Sequence, residues 1–219
     1  MNNRFILILA ACVIGFLGIL FFTKKDSNKS NGGTNNQNSS VQSNHITGNT
    51  QSKVTLVEFG DFECPACYKF FPIMEQVRAK YKDKIAFQFR HLPLVEIHKN
   101  ALIGARAAEA AGMQGKFFEM HDSLYTNQQS WSQASDPTSY FVQYAKELGL
   151  DEQKFKADLV SEQVNKIIQA DRTYAKDQGF NSTPTFLING KKLEDAQNSI
   201  DYFSQQIDQA LAQQNTNGQ

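Results

Sequence analysis

The sequence predicts an α/β domain with a long helical insertion, preceded by an N-terminal membrane anchor and a flexible linker. Three observations carry this. A β-rich run ending in glycine is followed at once by a helical period and then by a second alternating run. Helical periodicity then continues for some eighty residues with few β signals. A short strand with an Asn-Gly turn and a final amphipathic stretch close the chain.

In chain order, residues 5–22 (FILILAACVIGFLGILFF) form an unbroken apolar run. At about 1.5 Å per residue this run just crosses a hydrocarbon core of roughly 30 Å. No A-x-A pattern follows Phe22, which favours an uncleaved anchor over a removed signal peptide. Leu9-Ala10-Ala11-Cys12 also resembles a bacterial lipobox, which would make Cys12 a lipidated N-terminus; the alternative is that Cys12 is an apolar anchor residue. Lys24, Lys25 and Lys29 oppose an outside location for the following chain. The four-residue head before the run favours it. The expectation is a single-pass anchor of 1–22 in a bacterial cell membrane with an extracytoplasmic domain.

Residues 23–52 are dominated by Asn, Ser, Gln, Gly and Thr and bury too little to fold. They are expected to be a disordered polar linker, with His45 a solvated residue within it. The folded domain is expected over 53–213 and a disordered tail over 214–219. Lys53–Phe59 (KVTLVEF) ends at Gly60 and reads as a buried strand. A helical period runs to Tyr81 with Pro72 inside it, a potential kink. Lys84–Arg90 (KIAFQFR) alternates like a strand, so the first strands bracket a helix as in a parallel βαβ unit. The helical insertion spans about 98–178. Thr185–Asn189 (TFLIN) reads as a strand, Asn189-Gly190 as a hairpin turn, Lys191–Leu193 as its partner and Ser199–Ala212 as a helix.

Composition removes several functions. Lys+Arg and Asp+Glu both number 22, so the basic excess of a nucleic-acid binder is missing and no nucleic-acid partner is expected. The four histidines are scattered and suggest no metal cluster; no cofactor is expected. His91, His98 and His121 are expected at the surface or at helix ends, and Trp131 in the core. Phe62, Phe70 and Phe71 divide between core packing and an apolar patch around the cysteines.

The chemistry lies in Phe62-Glu63-Cys64-Pro65-Ala66-Cys67. Cysteines one helical turn apart satisfy the separation a disulfide needs. A helix N-terminus offers free N–H groups and a positive dipole end to a thiolate at Cys64. Pro65 fits the first turn, where no N–H is required. Cys64 is thus the candidate nucleophile and Cys67, a turn deeper, the resolving thiol. An inert disulfide or half a zinc site would use the same residues. Zinc would want a second C-x-x-C or paired histidines, which the sequence does not display.

With Val57-Glu58-Phe59, His91-Leu92-Pro93-Leu94, the Ala-rich run 101–111, Gln114–Asp122 and Thr183-Pro184-Thr185-Phe186, the chain resembles the DsbA-like branch of the thioredoxin superfamily over roughly 54–210. The resemblance implies a thioredoxin-like fold with an inserted helical cap and a thiol–disulfide oxidoreductase, acting as a dithiol oxidase. It implies that Pro184 is cis beside the cysteines. It implies that Thr183 offers backbone hydrogen bonds to substrate, with Pro65 and Ala66 completing the substrate-facing set, and that Glu58 lies beneath Cys67 as its proton carrier. It further implies partners: cysteine-containing secreted or membrane proteins, and a membrane redox protein, either a quinone-linked oxidase or a thiol reductase. A reductase of the same fold, or a non-catalytic peptide-holding or metal-delivery module, are the alternatives. Ala66 stands where strongly oxidising members carry His, and Asp61 and Glu63 add negative charge. The Cys64 pKa is therefore expected nearer ~7 than ~3.5.

Overall fold

The computed structural model describes residues 43–216. The anchor expected at 1–22, including Cys12, and the linker up to residue 42 lie outside the described residues. Among those described, no helix is long and apolar enough to cross a membrane.

Five strands form one sheet: β1 (His45–Gly48), β2 (Thr55–Gly60), β3 (Ala86–His91), β4 (Thr185–Ile188) and β5 (Lys191–Lys192), in the order β1-β3-β2-β4-β5. The helix α1 (Pro65–Tyr81) joins β2 to β3, which pair in parallel with Glu58 opposite Phe89. β1 runs antiparallel to β3, and β4 antiparallel to β2 with Glu58 opposite Phe186. β2 is paired on both edges, and Leu56, Glu58, Phe59 and Gly60 along it are buried. Pro72 sits within α1, which runs on to Tyr81. Asn189 and Gly190 have φ of 51° and 79°, the pair of positive values a tight hairpin turn needs.

Between β3 and β4 lie six helices: α2 (Ala101–Gly112), α3 (Phe117–Thr126), α4 (Gln128–Trp131), α5 (Thr138–Glu147), α6 (Glu152–Leu159) and α7 (Glu162–Asp177). Side chains set two of their starts. Asp151 accepts from the N–H groups of Gln153 and Lys154, and Ser161 from that of Val164. Alanine on α2 lets its neighbours approach: Ala101, Ala105, Ala107, Ala108, Ala110 and Ala111 are all buried. The closing helix α8 (Ile200–Thr216) packs against α1 and β4, and Phe203 meets the rings of Phe70 and Phe186 at 6.2 and 4.9 Å.

Two boundaries differ from the sequence reading. The fold begins ten residues before 53, because Ser43 and β1 lie in the stretch expected as linker. Ser43 donates to buried Asp171, and β1 gains a full antiparallel register with β3. Polar composition hid a strand whose stability comes from backbone pairing. At the other end α8 continues to Thr216, into the stretch expected as a tail.

The histidines also differ. His91 and His121 are buried at 0% and 2% exposure, in a cluster of aromatic rings, instead of at the surface. His121 lies 4.9 Å from Phe89 and 5.0 Å from Tyr125, ring to ring.

Candidate active site

The site forms where β2 ends and α1 begins. Cys64 is the N-cap residue of α1, extended at φ −69° and ψ 124°, and Pro65 follows at the first helical position. Pro65 has no N–H to offer, so the next free donors, Ala66 and Cys67, face the Cys64 sulfur and favour its anion. The sulfur closes no full cap hydrogen bond with them. Cys64 and Cys67 are both free thiols, Cys64 at 6% exposure and Cys67 at 0%. The Thr183–Pro184 peptide is cis, and the Cys64 thiol donates to the Thr183 carbonyl at 3.4 Å.

The two sulfurs have opposite acidities. The Cys67 thiol, hydrogen-bonded to the Cys64 sulfur, pulls the Cys64 pKa down to about 5, against the opposing effect of burial; the Thr183 side chain and the helix N–H groups add to the pull. Burial pushes Cys67 well above the ordinary thiol range, and the negative charge on Cys64 and Glu58 adds to that. One thiolate is thus exchanged for one thiol inside a single turn.

Glu58 lies on β2 with its carboxyl fully buried, and burial raises its pKa to about 8; Arg78 opposes this, while Cys64 and Glu75 reinforce it. A group that holds its proton up to pH 8 next to a thiol that also holds one can pass it without crossing bulk water.

The value of about 5 for Cys64 corrects the expectation of ~7. The two acids thought to oppose the thiolate are engaged elsewhere. Asp61 accepts from the N–H groups of Glu63 (2.8 Å) and Leu94 (2.9 Å) and pairs with His98 Nδ1 at 2.7 Å. Glu63 accepts from Asn100 N–H at 2.5 Å, and burial raises its pKa. These acids therefore anchor the active-site turn to the chain leading into α2. His98, expected at the surface or at a helix end, is part of that anchor.

Several residues here carried no sequence signal. Gln128, at the start of α4, donates to the carbonyls of Phe62 (2.8 Å) and Cys64 (3.0 Å), fixing the turn from the insertion side. The Tyr125 hydroxyl is buried without a partner, and burial and the charges of Cys67 and Glu58 push its pKa well up. A side chain at Gly60 would meet the Phe89 ring at 2.5 Å and the Tyr125 hydroxyl at 2.9 Å, so glycine is required for the turn to pass. Phe62 belongs to the core at 1% exposure, while Phe70 and Phe71 are partly buried against it.

The histidines do not stay scattered. His45 on β1 and His91 on β3 both bond one carboxylate oxygen of Glu109 on α2, each at 2.7 Å. Burial would raise the Glu109 pKa, but the two imidazole hydrogen bonds overcome it and hold it low. His45, expected in solvent, is partly buried.

Fold and site together are those of a thiol–disulfide oxidoreductase of the thioredoxin superfamily. The family model described as Thioredoxin matches residues 40–209, and the chain belongs to that family. Among solved structures it is similar to a thioredoxin-like oxidoreductase from Silicibacter pomeroyi DSS-3, at 25% identity and a TM-score of 0.63, over 76% of this chain and 91% of that one. It is also similar to alpha-DsbA1 of Wolbachia pipientis, at 20% identity and a TM-score of 0.69, over 80% of this chain and 94% of that one; this likeness concerns the fold. A curated relative, Na(+)/H(+) antiporter NhaA 1 of Mycobacterium sp. (strain KMS), is 37% identical over 153 residues, 68% of this chain. The match spans only 24% of that relative's length.

Proposed function

We propose that this protein is a dithiol oxidase that introduces disulfides into cysteine-containing proteins outside the cytoplasm, held at the membrane by residues 5–22. The observation that carries the reading is the placement of Cys64 at the start of α1, against the Thr183 carbonyl before cis Pro184, where its pKa is lowered to about 5 while buried Cys67 keeps its proton. A Cys64 thiolate favoured at pH 7 stabilises the reduced enzyme and makes the Cys64–Cys67 disulfide more oxidising than an unperturbed pair.

In the proposed reaction a substrate thiolate attacks Sγ of Cys64 in the Cys64–Cys67 disulfide. The S–S bond breaks, Cys67 leaves as a thiolate, and Glu58 gives it a proton. A second substrate thiolate attacks the substrate sulfur of the mixed disulfide. The substrate is oxidised by two electrons, and Cys64 departs as the stabilised thiolate. Thr183 and cis Pro184, with Pro65 and Ala66 opposite, form the edge against which an extended substrate backbone lies. The reduced pair returns its electrons to a membrane redox protein, a quinone-linked oxidase in this reading.

The reduction potential tests the direction. A value near about −120 mV supports the oxidase, and one near about −270 mV replaces it with the reductase of the same fold. Oxidation of a reduced, unfolded substrate by wild type, lost in Cys64→Ser, is the expected activity. A wild type as inactive as Cys64→Ser would leave a non-catalytic holding module.

A further inference from the structure

The shared carboxylate of His45, His91 and Glu109 is unlike the other polar clusters of the fold. Arg90 and Asp171, on neighbouring elements, satisfy each other through Nε and Nη2 at 2.9 and 2.8 Å. Glu109 receives no Lys or Arg; its ion-pair partners among the described residues are the two imidazoles. One ligand-type atom from each of the three residues lies within 4.8 Å of the others. Two imidazole nitrogens and one carboxylate oxygen are a donor set for a divalent ion.

Three features hold the set in place. The His45 ring stacks on Phe117 with centroids 3.4 Å apart and planes within 4°. His91 is fully buried, with the rings of Phe89 and Phe117 5.5 and 5.7 Å away, and its Nδ1 has no partner. Room for His45 comes from Gly112 on α2, where a Cβ would lie 3.2 Å from His45 Cε1. Gly112 is not among the glycines of positive φ, so a left-handed helix end does not explain it. The ring it admits does.

We propose that His45, His91 and Glu109 bind a Zn²⁺-class divalent cation that fastens β1 to β3 and α2. Zn–N and Zn–O bonds of about 2.0–2.2 Å in a tetrahedral array put neighbouring donors about 3.3 Å apart. The Glu109 contacts at 2.7 Å would therefore open by a few tenths of an ångström to admit an ion. His45 stands on an edge strand and is partly exposed, so movement and access are both available at that ligand. Solvent completes the coordination. The nitrogen-rich set selects ions such as Zn²⁺, Co²⁺ or Ni²⁺ over Ca²⁺, which wants six to eight oxygens. The ion would tie the strand that receives the N-terminal segment to the insertion, by contacts separate from the cysteines.

The test uses the full chain with Cys64 and Cys67 oxidised to the disulfide, so that thiolates are not ligands. Zn²⁺ is titrated against a chromophoric chelator, and Co²⁺ is followed by its visible d–d bands. The expected result is one equivalent per chain, at least about tenfold weaker binding in His45→Ala and in Glu109→Gln, and unchanged binding in Glu119→Gln. Zn²⁺ at about 100-fold over the wild-type Kd should raise Tm by several degrees in wild type and by no more than about half as much in His45→Ala. No saturable uptake by wild type, equal uptake by His45→Ala, or uptake of Ca²⁺ in preference to Zn²⁺ overturns the proposal. Because His45 is on an edge strand, that variant remains informative even where Glu109→Gln does not fold.

Discussion

Replacing Glu58 by Gln in the oxidised protein should stabilise the fold at neutral pH. Folding raises this carboxyl from 4.5 to about 8, so the folded state keeps a proton that the unfolded chain has released. Its contribution is complete below pH 4.5 and declines as pH rises, levelling off above about 8. From 4.5 to 7 is two and a half pH units, each about 1.4 kcal/mol, which gives a cost of about 3 kcal/mol at neutrality. Gln keeps the shape and has nothing to ionise. The oxidised form is chosen because reduced Cys64 contributes with the opposite sign: its pKa falls from 9.0 to about 5, so its stabilisation grows as pH rises through that window. Urea unfolding of both oxidised proteins at about pH 4 and pH 7.5 reads the difference. The gap between Glu58→Gln and wild type should widen by up to about 4 kcal/mol between these conditions, and by less to the extent that the disulfide lacks the Cys64 charge that reinforces the shift. A gap that does not change with pH refutes the buried, neutral carboxyl and with it the proton route to Cys67.

Two further substitutions test the frame around the site. Asp171→Ala removes the carboxylate that accepts from Arg90, from His91 N–H and from Ser43, and leaves Arg90 buried without a counter-charge. A loss of about 3–5 kcal/mol in chemical denaturation is expected. Gly60→Ala drives a methyl into the Phe89 ring and the Tyr125 hydroxyl, and should lower stability by about 1–3 kcal/mol. A neutral Gly60→Ala would mean that the turn has slack which the close approach denies.

Much of this was legible in the chain itself. The βαβ start follows from two apolar runs bracketing a helical period, and the Asn189-Gly190 turn from residues that tolerate positive φ. The cysteine pair announced itself because its spacing and its place before a helix are local facts. What was not legible is what depends on distant partners. β1 is polar along the chain and owes its existence to pairing with β3. Asp61 and Glu63 looked like charges repelling a thiolate until Leu94, His98 and Asn100 were brought to them by the fold. Gln128 is an unremarkable glutamine in sequence, and only the loop between α3 and α4 aims it at the Phe62 and Cys64 carbonyls. His45 and His91 lie 64 and 18 residues before Glu109 and meet it through one register and one helix face.

Everything proposed for the chemistry returns to the ionisation of one sulfur. Titrating the ultraviolet thiolate absorbance of the reduced protein, with Cys64→Ser as the blank, measures it directly. A midpoint of about 5, absent from Cys64→Ser, is the expected result. A midpoint at the ordinary thiol value of about 8.5 would contradict the account, since the helix start and its neighbours would then give Cys64 no advantage as a leaving group.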